Sequence, residues 1–343
     1  MAGMDGEALR ALRQQLRLSQ SELKAALNSA LDRSYDKPRI SRWENGREPI
    51  PDEVARAVEA LATVQPRHAR ILVLANQKGG VGKTTSALNL ACGLARQGQR
   101  VLLVDLDPQA TASVALLAAG HVEVWRQGRT MAHVILREQP IESAILAQDD
   151  PLLGGRAPFD LAPSHIDLAE TDGRREPGFD VALRESLEAV RGRYDTILID
   201  APPNLGMLTV MGLAAADAVI IPVRTEPYDS MGVGLILSTI GKVQRRLNPA
   251  LRLAGILPTQ FGARKSVDRE VLEQLIAIMA GRAPVLEPVP ASAVFGHAAR
   301  NGRIALEASP GTAAVAVYLR IAAALGQGTP LPEAQLAPLE ATP

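Results

Sequence analysis

A chain of 343 residues carries 37 basic and 37 acidic side chains, for zero formal net charge, and 47% of it is apolar. That length exceeds a usual single domain and that apolar content supplies a sizeable core, while the neutral balance excludes a wholly basic nucleic-acid coat though not local patches. Cys92 is the only cysteine, which excludes an intrachain disulfide framework and any Cys-x-x-Cys metal or cluster site. Asp5, Glu7 and a run of arginines interrupt the opening residues, so no signal-peptide core is expected there. No uncharged apolar run is long enough to span a bilayer, and a cytoplasmic protein is expected.

From the N-terminus, Leu9, Leu12, Leu16, Leu23, Leu27 and Leu31 recur at helical spacing, predicting a compact helical unit over residues 7–63. Ser19, followed three residues later by Glu22, reads as a capping box. The string Ile40-Ser41-Arg42-Trp43-Glu44-Asn45-Gly46-Arg47 places Trp43 in a small core and Gly46 at a left-handed helix terminus. This pattern resembles Cro/repressor-type helix-turn-helix domains. The resemblance implies operator binding, with the early residues of the motif's second helix in the major groove. The implied DNA contacts are Lys37, Arg39, Ser41 and Arg42, with Gln20 and Ser21 on the preceding helix and Arg47 on a phosphate. The turn is longer than usual: residues 30–35 extend the preceding helix and Pro38 opens the next. A dimerisation or docking module that has lost DNA binding is the alternative, because the unit is only slightly basic.

Residues 65–69, with Pro66 and polar side chains, read as a linker between a domain at 1–64 and a second at 70–325. The second opens on an apolar strand, Ile71-Leu72-Val73-Leu74-Ala75. Then come Lys78-Gly79-Gly80-Val81-Gly82-Lys83-Thr84-Thr85 and a helix-prone run over 86–96. The strand–loop–helix context marks a phosphate-binding loop. Its glycines let backbone N–H groups curl round a phosphate, Lys83 charges the β/γ-phosphates, and the Thr84 hydroxyl is placed for Mg²⁺. A nucleotide and Mg²⁺ are therefore the expected ligands. Val101-Leu102-Leu103-Val104-Asp105-Leu106-Asp107-Pro108-Gln109 is a buried strand ending in carboxylates. Residues 118–178 are irregular, with loops near Gly154-Gly155 and Gly173. Asp195-Thr196-Ile197-Leu198-Ile199-Asp200-Ala201-Pro202-Pro203 is a further buried strand that ends on a carboxylate. Residues 218–223 and 253–258 read as buried strands followed by helices. The alternation predicts an α/β, doubly wound, mostly parallel sheet preceded by a small all-α domain. A Pro-punctuated tail over 326–343 reads as flexible and, lacking a basic face, does not form an amphipathic membrane helix.

The early lysine at Lys78 and the two carboxylate strands resemble the deviant Walker A ATPases of the ParA/MinD family, most of all ParA partition ATPases, over roughly residues 70–325. The resemblance implies an ATP-dependent homodimer in which Lys78 reaches the partner's nucleotide. Lys78, Lys83 and Asp107 would be catalytic, with Asp107 positioning the attacking water. Thr84 and Asp200 would hold Mg²⁺; Asp105 is either a further Mg²⁺ partner or a cap on the next segment. It also implies nucleoid DNA binding and hydrolysis triggered by a centromere-binding ParB-like partner. Relatives often carry arginine near Ala291-Ser292-Ala293-Val294-Phe295, where this chain does not; Arg264, Lys265, Arg300 and Arg303 are either substitutes or simply solvated. The expected function is a plasmid or chromosome partition ATPase with operator binding by its N-terminal domain. An ATP-regulated transcription or replication repressor, and a positioner of protein cargo, are the alternatives.

Overall fold

The computed structural model describes residues 4–15, 18–64, 68–174, 176–227 and 229–335. Leu16, residues 65–67 of the expected linker and residues 336–343 of the tail lie outside them. The chain divides into two compact units between residues 66 and 67.

Among the described residues the first unit has four helices: α1 (Gly6–Gln15), α2 (Gln20–Leu31), α3 (Lys37–Glu44) and α4 (Asp52–Val64). Leu9, Leu23, Leu27, Ile40, Trp43, Val54 and Val58 bury into one core, and Leu12 and Leu31 pack at its edge. The capping box forms: the Glu22 N–H donates to Ser19 Oγ at 3.2 Å and the Ser19 N–H to Glu22 Oε2 at 2.7 Å. Asp32, at φ +50°, stops α2 at Leu31, so only part of the extra segment is helical and the rest makes the turn. Asp36 caps α3 through the Arg39 N–H at 2.9 Å, with Pro38 in the first turn. Gly46, at φ +65°, follows α3 in the left-handed region that glycine tolerates.

The second unit is built on a six-stranded sheet, wholly parallel, in the order β3-β2-β4-β1-β5-β6. Its strands are β1 (Arg70–Leu74), β2 (Val101–Asp105), β3 (Asp160–Ala162), β4 (Thr196–Asp200), β5 (Ala218–Arg224) and β6 (Arg252–Thr259). Its helices are α5 (Lys83–Ala95), α6 (Thr111–Leu117), α7 (Gly120–Arg126), α8 (Met131–Arg137), α9 (Ala182–Glu188), α10 (Met207–Ala215), α11 (Asp229–Arg246), α12 (Ser266–Met279), α13 (Val294–Arg300), α14 (Ala305–Ala308) and α15 (Ala313–Gln327). Alternate strand residues feed two cores. Ile71, Val73, Ile197 and Ile199 pack against α8 to α12, while Leu72, Leu74, Leu103 and Leu198 pack against α5 and α15. Coverage on both faces explains why the strands are continuous apolar runs. Strand order reverses around β1, which opens a crevice at the carboxyl edge where α/β sheets bind ligands.

Three local expectations change. The helix after the glycine loop starts at Lys83, inside the motif, so the loop leads directly into a helix N-terminus. The irregular stretch 118–178 supplies the edge strand β3, helices α7 and α8, and a 3₁₀ helix, Ile166–Gly173. The tail expected to be flexible docks in part. The Glu287 N–H donates to the Pro332 carbonyl and the Ala334 N–H to the Val285 carbonyl, because Leu331 and Ala334 have apolar surface to cover. Among the described residues no helix is long and apolar enough to cross a membrane.

Candidate functional site

The loop 76–85 bridges β1 and α5 at the carboxyl edge of the sheet. Gly80 (φ +73°) and Gly82 (φ +84°) hold left-handed conformations, and a Cβ on Gly82 would sit 3.5 Å from Thr259 Cγ2. Side chains from other strands pin the loop. Thr259 Oγ1 donates to the Val81 carbonyl at 2.9 Å, and Gln260 Nε2 to the Gly80 carbonyl at 3.0 Å. Asn76 donates to the Pro222 carbonyl at 2.7 Å and accepts from the Lys78 N–H at 3.1 Å. None of these three was singled out from sequence. Each lies at or just past a strand end, the one signal that would have marked it. Lys83 is buried, and its Nζ folds back to the Lys78 carbonyl at 3.0 Å. Burial lowers the Lys83 pKa, against the opposing pull of Asp200 and Asp107.

Parallel pairing sets Asp105 opposite Asp200 at the ends of β2 and β4. Asp200 is fully buried, and neither carboxylate oxygen has a hydrogen-bond partner. Burial pushes its pKa well up and the Asp105 charge adds to the rise. The Thr84 hydroxyl, near enough to favour the charged form though outside hydrogen-bond geometry, and the Lys83 ammonium offset only part of it. An orphaned carboxylate beside a threonine hydroxyl is a fit for a divalent cation, which accepts such hard oxygen donors.

Asp105 behaves differently. Its Oδ2 accepts from the Ser113 N–H (2.9 Å) and Oγ (2.7 Å), and its Oδ1 from the Asp107 N–H (3.2 Å). Burial still pushes it up to about 6. These bonds tie Asp105 to the first turn of α6, as the capping reading expects, and Oδ1, with a single donor, keeps a lone pair on the side of Asp107. Asp107 is buried; burial raises its pKa, while the Gln109 N–H on its Oδ1 (2.9 Å) and the Lys83 charge pull it down.

A cavity of about 540 Å³ adjoins the loop, lined by Gly82, Thr85, Gln260, Phe295 and Tyr318 together with residues 289–293. Tyr318 shares a 2.9 Å hydrogen bond with Ser86 and meets Phe295 edge-on at 5.9 Å. Residues 289–293, which include Ala291-Ser292-Ala293 of the stretch where relatives carry arginine, thus form a cavity wall beside the phosphate loop. Arg264, Lys265, Arg300 and Arg303 are all exposed, the first two ahead of α12 and the others at the end of α13 and just past it.

In the helical unit, Lys37, Ser21 and Arg47 are exposed. Arg39 and Arg42 both pair with Glu48, at 3.6 and 2.6 Å, and Arg39 also lies 5.7 Å from the Tyr35 and Trp43 ring centroids. Ser41 accepts from Asn45 Nδ2. Gln20 is half-buried, and its amide donates to Glu44 Oε2 at 2.9 Å within the unit. There the Glu44 side chain, 1% exposed, also accepts from Arg13 Nε at 2.5 Å.

A glycine loop at the reversal of a parallel sheet, with buried carboxylates on the neighbouring strand ends, defines a P-loop nucleotide-binding protein. A family model described as an AAA domain matches residues 69–253, and one described as a helix-turn-helix domain matches residues 6–71. The chromosome-partitioning ATPase Soj of Thermus thermophilus is 39% identical over 74% of this chain and 94% of its own. The sporulation initiation inhibitor protein Soj of Bacillus subtilis is 36% identical over 74% and 96%. Among solved structures, cobyrinic acid a,c-diamide synthase from Mycobacterium smegmatis, with a bound ATP analog and magnesium, superposes with TM-score 0.64. It is 34% identical, over 77% of this chain and 99% of that one. The chain belongs to the ParA/MinD family of P-loop ATPases and carries an N-terminal helix-turn-helix domain.

Proposed function

We propose that this chain is a partition ATPase: ATP joins two copies, the dimer binds DNA, and a ParB-like, centromere-binding partner triggers hydrolysis that releases it. The observation that carries this reading is the buried, unpartnered Asp200 carboxylate beside Thr84 and Lys83, at the mouth of a phosphate loop whose family relatives include chromosome-partitioning ATPases. ATP phosphates lie along residues 78–85, and the cavity walled by residues 289–293 and floored by Phe295 and Tyr318 takes the base. Thr84 and Asp200 would hold Mg²⁺, which neutralises phosphate charge when bound. Lys83 meets the β/γ-phosphates, giving up its bond to the Lys78 carbonyl. Lys78 reaches the nucleotide of the second copy. Asp107 orients the attacking water by accepting a hydrogen bond from it, which suits phosphoryl transfer, where positioning outweighs covalent chemistry. The DNA contacts are assigned to Arg264, Lys265, Arg300 and Arg303 for the ATPase unit. Lys37, Arg39, Ser41 and Arg42, with Gln20, Ser21 and Arg47 beside them, serve an operator, Arg39 and Arg42 leaving Glu48 to do so. Such a protein works in the cytoplasm at the nucleoid.

Hydrolysis by Asp107→Ala tests the assignment. We expect ATP to stay bound while turnover falls about 100-fold, the usual scale for losing a positioned proton acceptor. Wild-type turnover would remove Asp107 from the mechanism.

A further inference from the structure

Ser164 lies just past the end of β3, in a stretch with no functional signal in the sequence. Because β3 runs parallel beside β2, with Val104 opposite Ala162, the carboxyl ends of both strands open at one edge. Ser164 therefore arrives alongside Asp107.

Ser164 is fully buried and commits all three of its polar groups. Its Oγ donates to the Asp107 carbonyl at 2.6 Å. Its N–H donates to Ser113 Oγ at 2.8 Å, and that hydroxyl donates onward to Asp105 Oδ2. Its carbonyl, which only accepts, takes a 3.0 Å bond from His121 Nε2 on α7. The Asp107 carbonyl also receives the Ala110 N–H at 2.7 Å. Ala110 is held at φ +51°, a conformation a non-glycine residue keeps only where its surroundings enforce it. The Asp107 carboxylate is aimed from within the same loop, through the Gln109 N–H. A shift of that main chain therefore moves the carboxylate.

We propose that Ser164 is a positioning residue for hydrolysis, its hydroxyl fixing the Asp107 main chain so that the carboxylate stays where the attacking water must be oriented. The proposal rests on the assignment of Asp107 made above. Small displacements of an orienting group cost large factors in rate, while nucleotide affinity resides in the separate loop 78–85.

The test measures single-turnover hydrolysis of bound ATP, and ATP affinity, in the full chain and in Ser164→Ala, Ser164→Thr and Asp107→Ala. Expected is a hydrolysis rate about tenfold lower in Ser164→Ala with ATP affinity unchanged, and partial recovery in Ser164→Thr, which keeps the hydroxyl. A wild-type rate in Ser164→Ala overturns the proposal while leaving Asp107 in place, provided Asp107→Ala is slow. A wild-type rate in Asp107→Ala overturns both. Equal losses of affinity and rate in both serine variants also overturn it, since that is what a merely structural role produces. Should Ser164→Ala not fold, Ser164→Cys keeps a group of similar shape but only a weak donor to the Asp107 carbonyl; an unchanged hydrolysis rate there overturns the proposal, and a rate-specific loss supports it.

Discussion

Asp200 and Asp105 sit side by side on paired strand ends yet differ in chemistry, because neither Asp200 oxygen has a hydrogen-bond partner while Asp105 accepts from Ser113 and Asp107. In the proposed role Asp200 holds Mg²⁺ as the charged carboxylate, so loading with Mg²⁺-nucleotide should draw its raised pKa down and favour loss of a proton. Affinity for Mg²⁺-ATP should therefore strengthen as pH rises through the elevated Asp200 range and fade as pH drops through it. Calorimetry in two buffers of different ionisation enthalpy should register proton release, which Asp200→Asn abolishes; equal heats in both buffers would show that Asp200 is already charged. Lys83→Ala removes charge-assisted contacts to phosphate and should weaken ATP binding about 100-fold by equilibrium titration.

At the scale of the element, the helical unit adds a buried polar network around Glu44 to its apolar core. Burial alone would raise the Glu44 pKa, but hydrogen bonds from Arg13 and Gln20, with the Arg13 and Arg10 charges, carry it below the ordinary value of 4.5. A depressed carboxylate stabilises the fold above its unfolded pKa, and that contribution is lost as pH falls through its lower folded value. The unit should accordingly loosen on acidification below about pH 4.5, as hydrogen exchange in α1 to α4 would record. Arg13→Ala leaves Glu44 with only Gln20 and Arg10 and should cost about 2 kcal/mol, the scale of a lost charge-assisted hydrogen bond, in denaturant unfolding of that unit. Arg42→Ala leaves this network intact, so it should weaken operator binding in a gel-shift titration while ATP hydrolysis is unchanged. The caps and turns of these helices were legible from Ser19, Pro38 and Gly46 because capping chemistry is local. Glu44 was not, because Arg13 meets it across 31 positions of chain.

The whole molecule repeats that division. The glycine loop, the strand-end carboxylates and the parallel sheet were readable because short contiguous strings carry their geometry. Thr259 and Ser164 were not, since they act on Val81 and Asp107 from 178 and 57 residues away. The docked tail and the 289–293 cavity wall escaped for the same reason: their residues are ordinary, and only the fold gives them a neighbour. An ATP-switched DNA-binding dimer should reveal itself in binding to random-sequence DNA with ATP, ADP or no nucleotide, in a full chain carrying Asp107→Ala to hold ATP and Lys37→Ala with Arg42→Ala to silence the helical unit. Binding that requires ATP and falls steeply with salt is the predicted result. Absence of binding in all three states would contradict it and leave DNA contact to the N-terminal unit alone.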